Sequence, residues 1–350
     1  MMNGFFEKIP AGTRVFGLAM LWLVLIGTLH SQLNGECTRE RVTLRMGYMP
    51  VITNLAAPII DQASRQSDLR FEAIKFPSFA EMAEAFRAGH IEVAYIIAPL
   101  ALALHQQGVP LKIVYIGNRH ESTLVVKSDS SIQSMRDLVG KKVAVPIRFS
   151  GHLLALKRYF RDAGFGESAV QLVEIPPPDM PAALSTGGID GYFVGEPFAS
   201  RSIHSGVGRR LMDVESIWPG FICNLMIVRE DLIENHPERV RRLVSAAVRS
   251  GMWAQSHQDE VIDLVAGYWG QSPDLVRFTF TTPPHRFRYD LPVPSHKELQ
   301  TVAQEMRNAG LIEGDIDVTA TFDDRFASEV LAEDSPPLSD LLAICKQERS

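Results

Sequence analysis

From Val42 onward the chain alternates short apolar runs with amphipathic stretches, in two successive series. No other feature restricts the fold as much. A strand, a helix and a second strand in that order place the two strands parallel, with the helix crossing one face of the sheet. In the first series residues 42–48, 69–76, 93–97 and 111–116 read as strands, separated by helical stretches at 55–65, 79–88 and 100–107. The second series has strands at 142–145, 170–175 and 191–194, with helices at 151–163 and 181–185. Two further apolar runs join the series: residues 122–127 carry the chain out of the first, and 221–228 carry it back. Beyond Arg229 the pattern is helical over 231–235, 238–255, 259–268 and 295–309, broken at Pro283-Pro284 and stopped at Gly310.

This order predicts an α/β chain of two lobes, each a mainly parallel sheet flanked by helices, joined by two crossover hinge strands. Lobe I takes residues 42–123 plus 226–330, lobe II takes 124–225, and 331–350 form a C-terminal tail of thin periodicity. A length of 350 residues with 46% hydrophobic side chains is enough for two cores of ordinary size. The net charge of −6 leaves no basic field for a polyphosphate backbone, so nucleic acid is not an expected partner. Three cysteines cannot make a disulfide framework.

The first 36 residues stand apart. Lys8 and Arg14 precede an apolar run at 15–27, and no charge returns until Glu36. Such a run has the length of a secretory h-region and falls short of the ~20 residues that span a bilayer. Residues 1–36 are therefore expected to be a signal peptide or a membrane anchor. Cys37 stands where a mature chain would begin and is a candidate lipidation site, although Glu36 occupies the position where a lipobox has a small residue. Cys223, inside an apolar run, is read as a buried thiol, and Cys345 as incidental.

Several short motifs now carry a resemblance. Gly-Tyr-Met-Pro at 47–50 with Asn54, Phe86-Arg-Ala-Gly-His-Ile-Glu-Val-Ala94 with Ala98-Pro99, Gly140-Lys-Lys-Val-Ala-Val-Pro146 and Gly191-Tyr-Phe-Val-Gly-Glu-Pro197 resemble the solute-binding proteins of ABC importers. The likeness is to the nitrate/sulfonate/taurine group and runs from about Val42 to Arg325. It implies a two-lobed periplasmic-binding-protein fold, type II-like, that closes on a small solute. It also implies a periplasmic or extracytoplasmic location, an ABC permease as partner and, through it, a cytoplasmic ATPase. The N-terminal signal or anchor would meet the membrane surface. The alternatives are an enzyme of the related thiamine-pyrimidine-precursor synthase fold and a ligand-sensing periplasmic domain.

In open α/β sheets ligands sit beyond the carboxyl ends of the strands. There the sequence places Tyr48, Thr53, Asn54, Ala98, Arg119, Arg148, Phe149, Ser150, Gly151, His152 and Glu196. Arg148-Phe-Ser-Gly-His152 follows a strand and opens a helix, so its free backbone N–H groups suit an anion. Arg148 offers a fork for an oxyanion, Ser150 a hydroxyl or a helix cap, and Gly151 close approach. Thr53 and Asn54 are caps or ligand contacts, and Tyr48, Phe149 and Trp218 offer flat walls. Ala98-Pro99 makes a tight strand-to-helix turn. Glu196 disfavours a bare anion and suits a solute with a donor edge; otherwise it pairs with Arg148 or Arg119, or braces a hinge. Arg286 and Arg288 read as cleft rim or surface.

No P-loop, Rossmann fingerprint, nucleophile elbow or HExxH occurs, and the ten histidines are scattered. Binding without turnover, with no cofactor, catalytic residue or metal, is the expected activity.

Overall fold

The computed structural model describes residues 11–33, 42–166, 168–284 and 286–332. The chain divides into two units, Met1–Val42 and Thr43–Ser350. In the first, residues Ala11–Leu33 form one helix whose side chains, among them Phe16, Leu21, Trp22 and Leu25, are exposed. Its apolar stretch from Val15 to Ile26 rises only about 18 Å at 1.5 Å per residue, against a hydrocarbon core of about 30 Å. Among the described residues no helix is long and apolar enough to cross a membrane. Cys37 and Cys345 lie outside the described residues.

Among the described residues there are ten strands, all in the second unit apart from Val42: β1 Val42–Tyr48, β2 Leu69–Lys75, β3 Val93–Ile97, β4 Leu111–Ile116, β5 Ser122–Lys127, β6 Lys142–Val145, β7 Gln171–Glu174, β8 Gly191–Gly195, β9 Gly208–Asp213 and β10 Asn224–Arg229. They make two five-stranded sheets, ordered β2-β1-β3-β10-β4 and β7-β6-β8-β5-β9. β1 and β3 are parallel, as are β6 with β7 and β6 with β8. Each sheet contains one reversed strand. β10 runs antiparallel to β3 and β4, pairing Leu225 with Ile96 and Ile116, while β5 runs antiparallel to β8 and β9.

Composition follows position. Central β3 and β8 are buried along their whole length, and so is β10 apart from Arg229, whereas the edge strands β2, β7 and β9 each expose charged residues at least in part; the remaining edge strand, β4, is buried apart from Lys112. A strand covered by helices on both faces needs apolar side chains throughout, and an edge strand is kept from further pairing by charge.

The reversed strands fix how the sheets are joined. The runs read as crossover strands, 122–127 and 221–228, mostly become β5 and β10 inside the sheets. The chain passes between the sheets in the short segments before them, 117–121 and 218–223. These two passages touch: Arg119 and Ile222 form an isolated antiparallel bridge, and Arg119 also bridges Arg288 from a third segment. His120 has a φ of 64°, in the left-handed region, and its Nε2 accepts the Gly220 N–H at 2.8 Å. Burial lowers the His120 pKa, which keeps that nitrogen free to accept.

Gly117 opens the first passage under a tight constraint. A Cβ there would lie 2.0 Å from the Thr53 carbonyl oxygen, a backbone atom that no rotamer change can move aside. Gly117→Ala is expected to cost about 1–3 kcal/mol of stability, as overpacking does. Gly166→Ala, where nothing lies within 4 Å, serves as the control in paired thermal melts; equal melting points for the two variants would remove the constraint.

Candidate functional site

The carboxyl ends of the two sheets face each other across the passages. The Ile52 N–H, beyond β1, donates to the Glu196 carbonyl beyond β8 at 2.9 Å, a direct link between the two halves. Around it the chain ends of β1, β3, β6 and β8 converge on Glu121, Ser122, Thr123, Cys223 and Asn224. Asn54 donates to the Met49 carbonyl at 3.1 Å, and its Oδ1 accepts from Asn224 Nδ2 at 2.8 Å. Ala98 donates its N–H to the Cys223 carbonyl at 3.0 Å and opens the helix Ala98–Gln106. Gly151, first residue of the helix Gly151–Asp162, packs so closely on Phe221 that a Cβ would meet the ring at 2.7 Å. His152 Nε2 lies 2.8 Å from Ser122 Oγ.

Six of the sequence candidates are thus gathered at the junction: Thr53, Asn54, Ala98, Gly151, His152 and Glu196. Ser150 is buried beside them, and its hydroxyl accepts the Leu153 N–H at 3.3 Å as a helix cap. The others point elsewhere. Tyr48 donates its hydroxyl to the Tyr268 carbonyl, inside the first half. Arg119 is committed to Glu298 at 2.9 Å. Arg148 is exposed, its guanidinium 5.5 Å from the Phe149 ring centroid, and its backbone N–H donates to Glu174. Trp218 lies under the Arg158 guanidinium and edge-on to Phe221.

Glu196 is fully buried and is neither Arg148's nor Arg119's partner. Its Oε2 accepts the Ser200 N–H at 2.7 Å, and its Oε1 lies 3.1 Å from Thr123 Oγ1 and 3.5 Å from Arg286 Nη1. Burial raises its pKa, and Arg286 opposes that shift. Glu121 is equally buried, and its Oε2 accepts the Glu196 N–H at 2.6 Å. Burial pushes its pKa up to about 7. The sequence reading passed over Glu121, Ser122, Thr123 and Asn224. A signal existed in Arg119-His-Glu121, three ionisable residues in a row between two apolar strands.

The two arginines described at the junction, Arg119 and Arg286, are both in ion pairs. The junction does carry polar side-chain atoms that are buried without a protein partner: Thr53 Oγ1, Asn118 Oδ1, Ser200 Oγ and His152 Nδ1. Buried polar atoms left unpaired in this way are the usual mark of a bound water or solute. Cys223 Sγ is 3.9 Å from His152 Nε2, yet burial raises the thiol pKa far above its ordinary value and lowers the imidazole to about 3. Both stay neutral at physiological pH, the opposite of a thiolate–imidazolium nucleophile. Among the described residues no group of His, Cys, Asp and Glu is placed to hold a metal ion.

Two facing sheets with one reversed strand each define a two-lobed binding-protein fold, and solved structures share it. The periplasmic nitrate-binding protein NrtA from Synechocystis PCC 6803 superposes with a TM-score of 0.75 over 87% of this chain and 91% of that one, at 16% identity. The periplasmic aliphatic sulphonate binding protein SsuA from Escherichia coli gives 0.67 over 80% and 92%, at 19% identity. In sequence the chain is 27% identical over 267 residues to the taurine-binding periplasmic protein of Escherichia coli (strain K12), covering 71% of this chain and 81% of that protein. It is 22% identical over 229 residues to a putative aliphatic sulfonates-binding protein of Bacillus subtilis (strain 168), covering 64% and 68%. The model of the NMT1-like family matches residues 38–268, and the chain belongs to that family. The resemblance read from the short motifs is borne out.

Glu121 gives the site a pH signature. Its carboxyl has an ordinary pKa of 4.5 and is raised to about 7 in the fold. The stability tied to its protonated form is therefore whole below about pH 4.5 and lost as pH rises through about 7. Glu121→Gln keeps an acceptor for the Glu196 N–H and should flatten the fall in stability between pH 5 and pH 8 relative to the parent chain. Urea melts at the two pH values measure it; parallel pH slopes in both proteins would acquit Glu121.

Proposed function

We propose that this chain is the extracytoplasmic substrate-binding component of an ABC importer. It captures a small anionic or heterocyclic solute by lobe closure and hands it to a membrane permease coupled to a cytoplasmic ATPase. Residues 1–36 act as the export signal or anchor, which gives a periplasmic location, and Cys37 is the candidate lipidation site. The observation that carries this reading is the Ile52–Glu196 hydrogen bond at 2.9 Å, formed between the strand ends of opposite sheets beside unpartnered Thr53 Oγ1. A junction of that kind shuts only when the two halves meet. Relatives named for taurine and aliphatic sulfonates support the solute range, as does the N-terminus of helix Gly151–Asp162 for an anionic group. Buried Glu196 and Glu121 favour a solute that also offers hydrogen-bond donors.

The reading is tested by thermal shift against taurine, alkanesulfonates, nitrate, bicarbonate and pyrimidine-like heterocycles. A solute at 100 times its Kd adds about 2.7 kcal/mol to the folded state. Thr53→Val, which removes the unpartnered hydroxyl at nearly constant shape, should weaken that solute about tenfold. Arg148→Ala, at an exposed position, should leave it within about twofold. A panel with no stabilising member would overturn the proposed solute range.

A further inference from the structure

Arg286 lies on the segment between helices Pro273–Thr281 and His296–Asn308. Both helices straddle the halves: the first packs on helix Gln258–Trp269 and on helix Phe198–His204, the second on helix Ala98–Gln106 and on helix Gly151–Asp162. The guanidinium spends its hydrogen bonds on the half built around the second sheet. Nη2 donates to the Ser122 carbonyl at 2.7 Å, Nη1 to Thr123 Oγ1 at 2.7 Å, and Nε to Glu215 Oε1 at 3.2 Å. Asp213 Oδ1 lies 3.1 Å from Nη2 and Glu196 Oε1 3.5 Å from Nη1. The side chain is only 4% exposed.

Three carboxylates and two further acceptors of the second half thus surround this one cation, whose segment spans both halves. Thr123 Oγ1, which receives Arg286, also lies 3.1 Å from the Glu196 carboxylate. Glu196 in turn presents its carbonyl to the Ile52 N–H. A two-step path therefore runs from Arg286 through Glu196 to the contact that closes the junction.

We propose that Arg286 is the positioning residue for closure: it fixes Glu196 at the place where the opposite half can reach it. This rests on the closure reading above, but not on the identity of any solute. An arginine suits the task because its planar fork bonds several acceptors in one fixed geometry, whereas a lysine ammonium acts as a point charge. Burial makes the arrangement all-or-none, since a carboxylate left without its cation in this interior is strongly unfavourable.

The test is hydrogen exchange on the solute-free protein, reading the Ile52 amide against amides in the centres of β3 and β8. Arg286→Met should speed exchange at Ile52 by at least about tenfold and leave the sheet centres unchanged. Arg286→Lys should restore part of the protection. Should Arg286→Met fail to fold, Glu215→Gln, at a partly exposed partner of the same guanidinium, is read in the same way with a smaller rise expected at Ile52. Unchanged Ile52 exchange in the variant that folds would overturn the proposal, and so would a uniform rise at every amide, which marks general loss of stability. Because no solute is present, either result leaves the solute screen to stand or fall separately.

Discussion

The structure depends on satisfying backbone and charge where the chain passes between its two sheets. The chain leaves the first sheet before β5 and returns to it before β10, so two covalent passages run side by side between the sheets. A buried backbone cannot leave its polar groups unpaired, and here there is no room for a regular ladder. The passages pair with each other at Arg119 and Ile222, and consecutive side chains do the remainder. Arg119 reaches Glu298, His120 takes the Gly220 N–H, and Glu121 takes the Glu196 N–H. Three neighbours in sequence thus anchor three different parts of the fold, and the candidate site is built directly upon them.

That dense anchoring explains the polarity of the junction. The carboxylates there hold the framework, with Glu196 and Glu121 both accepting backbone N–H groups. Uncharged side-chain atoms there, Thr53 Oγ1 and Ser200 Oγ among them, are without a protein partner.

Much of the fold was legible because burial on both faces writes itself into composition. Strands β3, β4, β5 and β6 stand where apolar runs predicted them, and their order gave two α/β halves. Strand β9, Gly208-Arg-Arg-Leu-Met-Asp213, was missed because an edge strand carries charge instead of alternation. Helix Pro273–Thr281 was missed despite Ser272 as cap and Pro273 in its first turn, a signal that was present but unread. At the site the strand ends were found from topology alone. The direction of each side chain was not, since Arg148 and Trp218 share the right neighbourhood and face away. Partnerships across long sequence separation, such as Arg286 with Thr123, leave no local trace.

The late position of Arg286 has a consequence for how the molecule is assembled. All ten strands are complete by Arg229, yet the first sheet still lacks helix Pro237–Ser256, where Tyr115 finds its hydrogen-bond acceptor at Ala247. The bolt between the halves and helix His296–Asn308, which ties Arg161 to Glu305, come later still. In chain order, the strands of both sheets therefore precede the residues that fasten the halves together. Until the final quarter emerges, nothing built from Arg286 or Glu305 holds the halves at their working angle.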